Sequence, residues 1–162
     1  VGVGGMGRMV RGEVEKLKAQ GAEQQIRTGL LWGMMTNEKA AAFAGAWYGA
    51  WNRHDVEGIM ALYAEGIEHS SPFIARYAVD AGGAGAKSIV GKKAVGDYFA
   101  RALVRNPTLR FDPMFVTVGL ESVILVYRRM SGDLAAEVFV FDEIGKVKRS
   151  ISHYGISTPG QA

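Results

Sequence analysis

The sequence contains no cysteine, which excludes disulfides and thiolate metal sites and leaves the redox compartment open. No apolar run approaches the roughly 18 residues that a membrane-crossing helix needs. No segment has the basic start, apolar centre and small-residue cleavage site of a secretory signal, so a cytoplasmic location and no membrane partner are expected. Histidine is scarce, with three among 162 residues and no close spacing, whereas a zinc site needs three or four converging ligands. No metal is implied. Basic and acidic side chains nearly balance at a net charge of +3. Basic residues also do not alternate with aromatic platforms, so nucleic acid is not an expected partner. The glycine-rich VGVGG precedes no strand–turn–helix unit, and no nucleotide cofactor follows from it.

What remains is a chain with 48% apolar and 22% charged residues, the composition of a soluble globular protein. Its organising stretch is 43–72. Phe43, Trp47 and Trp51 recur every four residues beside Ala40 and Ala44, which makes one apolar helical face, with Thr36 or Asn37 as its cap. Asp55 should cap a second helix that buries Val56, Ile59, Met60 and Tyr63. A short strand, Ile67–Ser71, then closes at Pro72. Residues 73–91 read as a loop around the glycines of 80–85. A third helix spans Lys92 to Arg105 and stops before Asn106-Pro107.

From Leu109 the apolar period becomes two, predicting strands at Leu109–Val118, Ser122–Met130, Ala135–Phe141 and Val147–Tyr154. Local turns predict a sequential antiparallel meander, with Pro113 at an edge or bulge. Arg128–Arg129 and the Lys146, Lys148, Arg149 cluster read as a solvated outer face. Residues 1–35 read as a poorly ordered or helical N-terminal extension with no catalytic part, since Met34-Met35 resembles a chain start. Residues 36–156 read as the domain, and 157–162 as a tail.

Several stretches in this order resemble the nuclear transport factor 2-like superfamily, specifically its SnoaL-like members. They are Ala50-Trp51-Asn52-Arg53-His54-Asp55, Ala61-Leu62-Tyr63-Ala64, Glu68-His69-Ser70-Ser71-Pro72, Gly91-Lys92-Lys93-Ala94-Val95 and Phe139 to Val147. The resemblance implies an α+β fold, in which a cone-shaped curved antiparallel sheet wraps around three helices and leaves a pocket at the open end. It also implies homodimers, no cofactor, and activities that include polyketide cyclases and ketosteroid isomerases. The isomerase general base falls on Ser71 here, its oxyanion tyrosine on Trp47, and its second oxyanion acid on Glu137. A serine without a neighbouring base has no useful proton affinity, so steroid isomerisation is rejected.

The remaining candidates for chemistry are Glu137 and His69. Glu137 is a carboxylate in an apolar strand, where burial would raise its pKa toward neutrality. His69 shares a strand face with Ser71 and titrates near 6.5 when unperturbed. Trp47, Ser71, Phe73, Tyr98, Tyr127 and Tyr154 are the candidate substrate contacts, within an aromatic lining that includes Trp51, Tyr63, Phe111 and Phe139. Two readings follow. One is a cofactor-independent acid–base enzyme of the cyclase, isomerase or hydrolase kind, acting on a small apolar carbonyl compound. The alternative is a non-catalytic module of the same fold that binds a small ligand or a partner.

Overall fold

The helix that opens the 36–156 domain begins where the sequence supplies a cap. In the computed structural model, the Thr36 hydroxyl accepts the Lys39 backbone N–H at 3.3 Å, and α1 runs Asn37–Asn52. Its inner side buries Ala40, Ala44, Trp47, Tyr48, Ala50 and Trp51. Asn52 ends the helix and ties it to the sheet. Its side-chain amide donates to the Phe111 carbonyl at 3.0 Å and accepts the Phe111 N–H at 2.9 Å. Asn52→Ala would leave both backbone groups without that partner. We expect a loss of about 2 kcal/mol, measured as a lower urea midpoint with an unchanged slope.

His54 turns the chain at φ 57°, and its Nε2 lies 2.9 Å from the Leu109 carbonyl oxygen, a structural role. Asp55 then caps α2 (Val56–Met60), accepting the Gly58 N–H at 2.8 Å. Helix α2 stops at Met60, so Tyr63 is not helical; it is the first residue of strand β1 (Tyr63–Ser70). A register shift between Tyr63 and Glu68 interrupts the inside–outside alternation. That irregularity hides the first half of the strand from a period-two reading.

The structure describes residues 12, 15, 16, 18–20, 34–80 and 85–155. The chain divides into two units, Val1–Met34 and Met35–Ala162. In the first, residues 12, 15, 16 and 18–20 are helical and Met34 lies at a bend; the remainder of the expected N-terminal extension before Met34, most of the glycine loop and the 157–162 tail lie outside the described residues. The second unit continues from β1 into α3 (Pro72–Asp80), β2 (Ser88–Val90) and α4 (Lys92–Arg105). The 73–91 stretch is therefore more than a loop. Pro72 opens a helix rather than merely ending a strand, since proline's missing N–H and fixed φ suit a first helical turn.

Strands β3 (Phe111–Val118), β4 (Ser122–Arg129), β5 (Leu134–Phe141) and β6 (Val147–Tyr154) form the expected antiparallel meander. Pro113 sits on the edge strand β3, next to a register shift, the kind of position to which a residue without an N–H is confined. Gly145, at φ 79°, makes the β5–β6 turn in a conformation that side chains disfavour. The full sheet order is β2-β1-β6-β5-β4-β3. Strand β1 runs parallel to β6, so the sheet is mixed rather than antiparallel throughout. A parallel partner needs a long connection, and the chain between β1 and β6 provides one.

The curved, unclosed sheet packs an aromatic core against α1 and α4. Trp47 stacks on Phe111 at 5.4 Å and 10° and meets Phe139 edge-on at 5.4 Å. Among the described residues, no helix is long and apolar enough to cross a membrane.

Candidate functional site

Alternation along the strands decides which side chains face the helices. On β4, Val123, Leu125 and Tyr127 are buried; on β5, Ala135, Glu137, Phe139 and Phe141; on β6, Val147, Ser150 and Ser152. Register then sets neighbours. Glu137 lies between Leu125 and Ser152, and Ala135 lies between Tyr127 and Tyr154. The small Ala135 separates two tyrosines. Between this face and the helices opens a cavity of about 400 Å³, walled by α1, α3, α4, the 106–110 connection and the β4–β5 turn. That volume lies within the range of small-molecule sites.

Seven of the eight candidate residues from the sequence line it: Trp47, His69, Phe73, Tyr98, Tyr127, Glu137 and Tyr154. Ser71 is placed elsewhere. Its Oγ accepts the Phe73 N–H at 3.2 Å at the start of α3 and lies 3.4 Å from the Tyr154 hydroxyl. It supports Tyr154 from behind the wall. Phe139 likewise lies within the core, with its ring 4.9 Å from Phe43. Trp47 contributes its ring face only, because its indole N–H is already donated to the Tyr63 hydroxyl at 3.2 Å. Trp51 also lines the cavity, and its buried indole N–H has no partner among the described residues.

Glu137 is the centre of the polar set. The Tyr127 hydroxyl donates to its Oε1 at 3.2 Å and the Ser152 hydroxyl to its Oε2 at 3.0 Å. No cation bonds to it among the described residues. Burial pushes its pKa up to about 7, against the opposing effect of the two hydroxyls, which favour the charged form. At neutral pH the carboxyl therefore exists in both protonation states.

His69 behaves differently. Its Nδ1 lies 2.8 Å from Ser150 Oγ, and its ring meets Phe99 edge-on at 5.0 Å. Burial lowers its pKa to about 4, so the ring is neutral at pH 7. Tyr98 is pushed up to about 12 and Tyr154 is raised, both chiefly by burial, which keeps these hydroxyls as donors.

Three of the wall residues that sequence reasoning missed bear on the polar set. Tyr77 lies on α3, in the stretch taken for a loop. Ser152 stands two positions before Tyr154 on one face. Arg129 is not on the outer face with Arg128: it lines the cavity, 5.0 Å from the Tyr154 ring and 5.5 Å from the Phe73 ring. Its position two residues from Tyr127 was the available signal. Arg128 does face outward, donating to the Gly132 carbonyl at 2.7 Å. No cluster of three His, Asp or Glu side chains suited to a metal occurs among the described residues.

A helix-backed curved sheet with a cavity on its concave side defines the nuclear transport factor 2-like class. Within that class the chain belongs to the SnoaL-like family, whose domain model matches residues 44–149. A SnoaL-like protein of unknown function from Burkholderia thailandensis is 38% identical, with 75% of this chain and 99% of that one covered and a TM-score of 0.67. Bal32a, from a soil-derived mobile gene cassette, is similar at 21% identity, with coverages of 72% and 89% and a TM-score of 0.59. TerC, crystallised with polyporic acid, is similar at 16% identity, with coverages of 72% and 92% and a TM-score of 0.57. A search of curated proteins found no match.

Proposed function

We propose that the cavity binds a small, largely apolar carbonyl compound and that Glu137 moves a proton on it without a cofactor. The observation that carries this reading is the Glu137 carboxyl itself, buried in an aromatic wall, held by two hydroxyls and poised near neutrality. A general acid or base works best with a pKa near the working pH. In the proposed step, the Glu137 carboxylate takes a proton from the carbon beside the carbonyl, and the electron pair moves onto the carbonyl oxygen. Tyr98 and Tyr154 donate hydrogen bonds to the resulting enolate. Where a carbon–carbon double bond lies β,γ to the carbonyl, Glu137 returns the proton to the γ carbon of the dienolate, which is isomerisation; where the substrate carries a second carbonyl, the enolate carbon attacks it and Glu137 returns the proton to the alkoxide that forms, which is cyclisation. His69, too weak a base at neutral pH, serves as a neutral hydrogen-bonding partner. Trp47 and Phe73 supply ring surface, Tyr127 holds Glu137 in place, and residues 36–156 carry the whole activity.

The test needs no knowledge of the product. Aryl methyl ketones are titrated while the fluorescence of Trp47 and Trp51 is followed, and ligands that bind are incubated in D2O. NMR should then reveal enzyme-accelerated loss of the methyl protons beside the carbonyl. Binding without accelerated exchange would support the second reading, a ligand-binding module without turnover. A homodimer is proposed through the outer sheet, where the edge strand β3 exposes Met114, Phe115, Val116 and Val118.

A further inference from the structure

Among the described residues, Glu137 is the one acidic side chain on the cavity wall, whereas Arg110 and Arg129 both line it. Arg110 is exposed and lies 3.5 Å from Asp112, so its charge is partly answered. Arg129 is half-buried, and among the described residues it has no carboxylate or carbonyl partner. Its neighbours are the Tyr154 and Phe73 rings, at 5.0 and 5.5 Å from the guanidinium carbon. Ring contacts hold the cation by electrostatics and leave its N–H donors uncommitted. A planar fork of donors held on a wall suits a carboxylate, which it can meet with two parallel hydrogen bonds.

The spacing suits a two-ended ligand. Tyr127, which bonds Glu137, and Arg129 are two residues apart on β4, on one face and roughly 7 Å along the strand. We propose that the substrate is a keto acid in the broad sense: an apolar body with a carbonyl at the Glu137 end and a carboxylate that Arg129 binds. This inference rests on the reading of the cavity as a carbonyl site and names the substrate class that fits it. A second carboxylate also belongs away from Glu137, since two like charges in one buried site repel.

The matched probes are 4-acetylbenzoate and its methyl ester, which share the ring and the ketone and differ in the charge. Calorimetric titration at 50 mM salt should give the acid about tenfold or more tighter binding than the ester, the scale of one charge-assisted hydrogen-bond pair. Arg129→Gln should remove that preference, the acid losing about tenfold more affinity than the ester. Arg129→Lys should keep part of it, because the charge survives and the planar fork does not. Both variants change a half-buried position, and circular dichroism verifies their folding.

Equal binding of acid and ester by the native protein overturns the inference and leaves the carbonyl-site reading intact. A preference that persists in Arg129→Gln also overturns it, placing the anion on another cation. Failure of both probes to bind overturns the inference and the carbonyl-site reading together.

Discussion

Glu137→Gln is expected to slow proton exchange of a bound ketone at least a hundredfold, and also to make the protein more stable at pH 8. The first effect follows from removing the one acidic group among the described wall residues, which accepts a proton near neutrality and bonds no cation there; positioned general acid–base groups contribute about 10²- to 10⁴-fold. The second follows from burial. At pH 8 the native carboxyl is charged in a site that favours its neutral form, at a cost on the order of 3 kcal/mol. Glutamine has nearly the same shape and no charge. The Tyr127 and Ser152 hydroxyls can still donate to its oxygen or accept from its amide, with one bond less well placed at a cost of about 1 kcal/mol.

A net gain of about 2 kcal/mol is expected, measured as a higher denaturant midpoint at pH 8. Ligand affinity should change little. A variant that loses exchange and stability together would mean that Glu137 is a structural group whose loss disturbs the cavity. A variant that keeps exchange would assign the proton transfer to another residue. The opposed signs of the two effects separate a catalytic carboxylate from a structural one.

Much of the architecture was readable because local signals agreed with it. Helix α4 runs Lys92–Arg105, as the Asn106-Pro107 stop predicts, and the Thr36 and Asp55 caps both form. The meander was legible because period-two alternation with intervening turns has few other solutions. The missed features share a different cause. The parallel β1–β6 pairing joins residues about eighty positions apart, and no local pattern encodes it. Helix α3 was obscured by neighbouring glycines and a proline that also suits a helix start.

At the site, Glu137 was conspicuous because a lone carboxylate in an apolar strand demands an explanation. Arg129 was not, because a charged pair at a strand end is ordinarily solvated. Only the inward parity it shares with Tyr127 separates it from Arg128. Ser71 met the opposite fate. Its position matched a catalytic aspartate in related folds, but a short hydroxyl just before a helix is drawn to that helix's first N–H groups.

The same two buried groups make a prediction about stability against pH. Glu137 has its pKa raised from 4.5 to about 7 in the folded protein. The native state therefore holds its proton more tightly, and the associated stability is present below pH 4.5 and lost as pH rises through about 7. His69 is lowered from 6.5 to about 4. Its contribution is present above pH 6.5 and lost as pH falls through about 4. Each swing is on the order of 3 kcal/mol, and between pH 4.5 and 6.5 the two slopes have opposite signs and nearly equal size.

Chemical denaturation of the native protein should therefore give an almost level stability across that window. Glu137→Gln should uncover the histidine, with stability climbing by about 3 kcal/mol from pH 4 to 6.5 and levelling above. His69→Gln should uncover the carboxyl, with stability falling by a similar amount from pH 4.5 to 7. A level profile in either variant would mean that its remaining buried group does not titrate as its surroundings dictate. For Glu137, that result would also remove the proton affinity near neutrality on which the proposed chemistry depends.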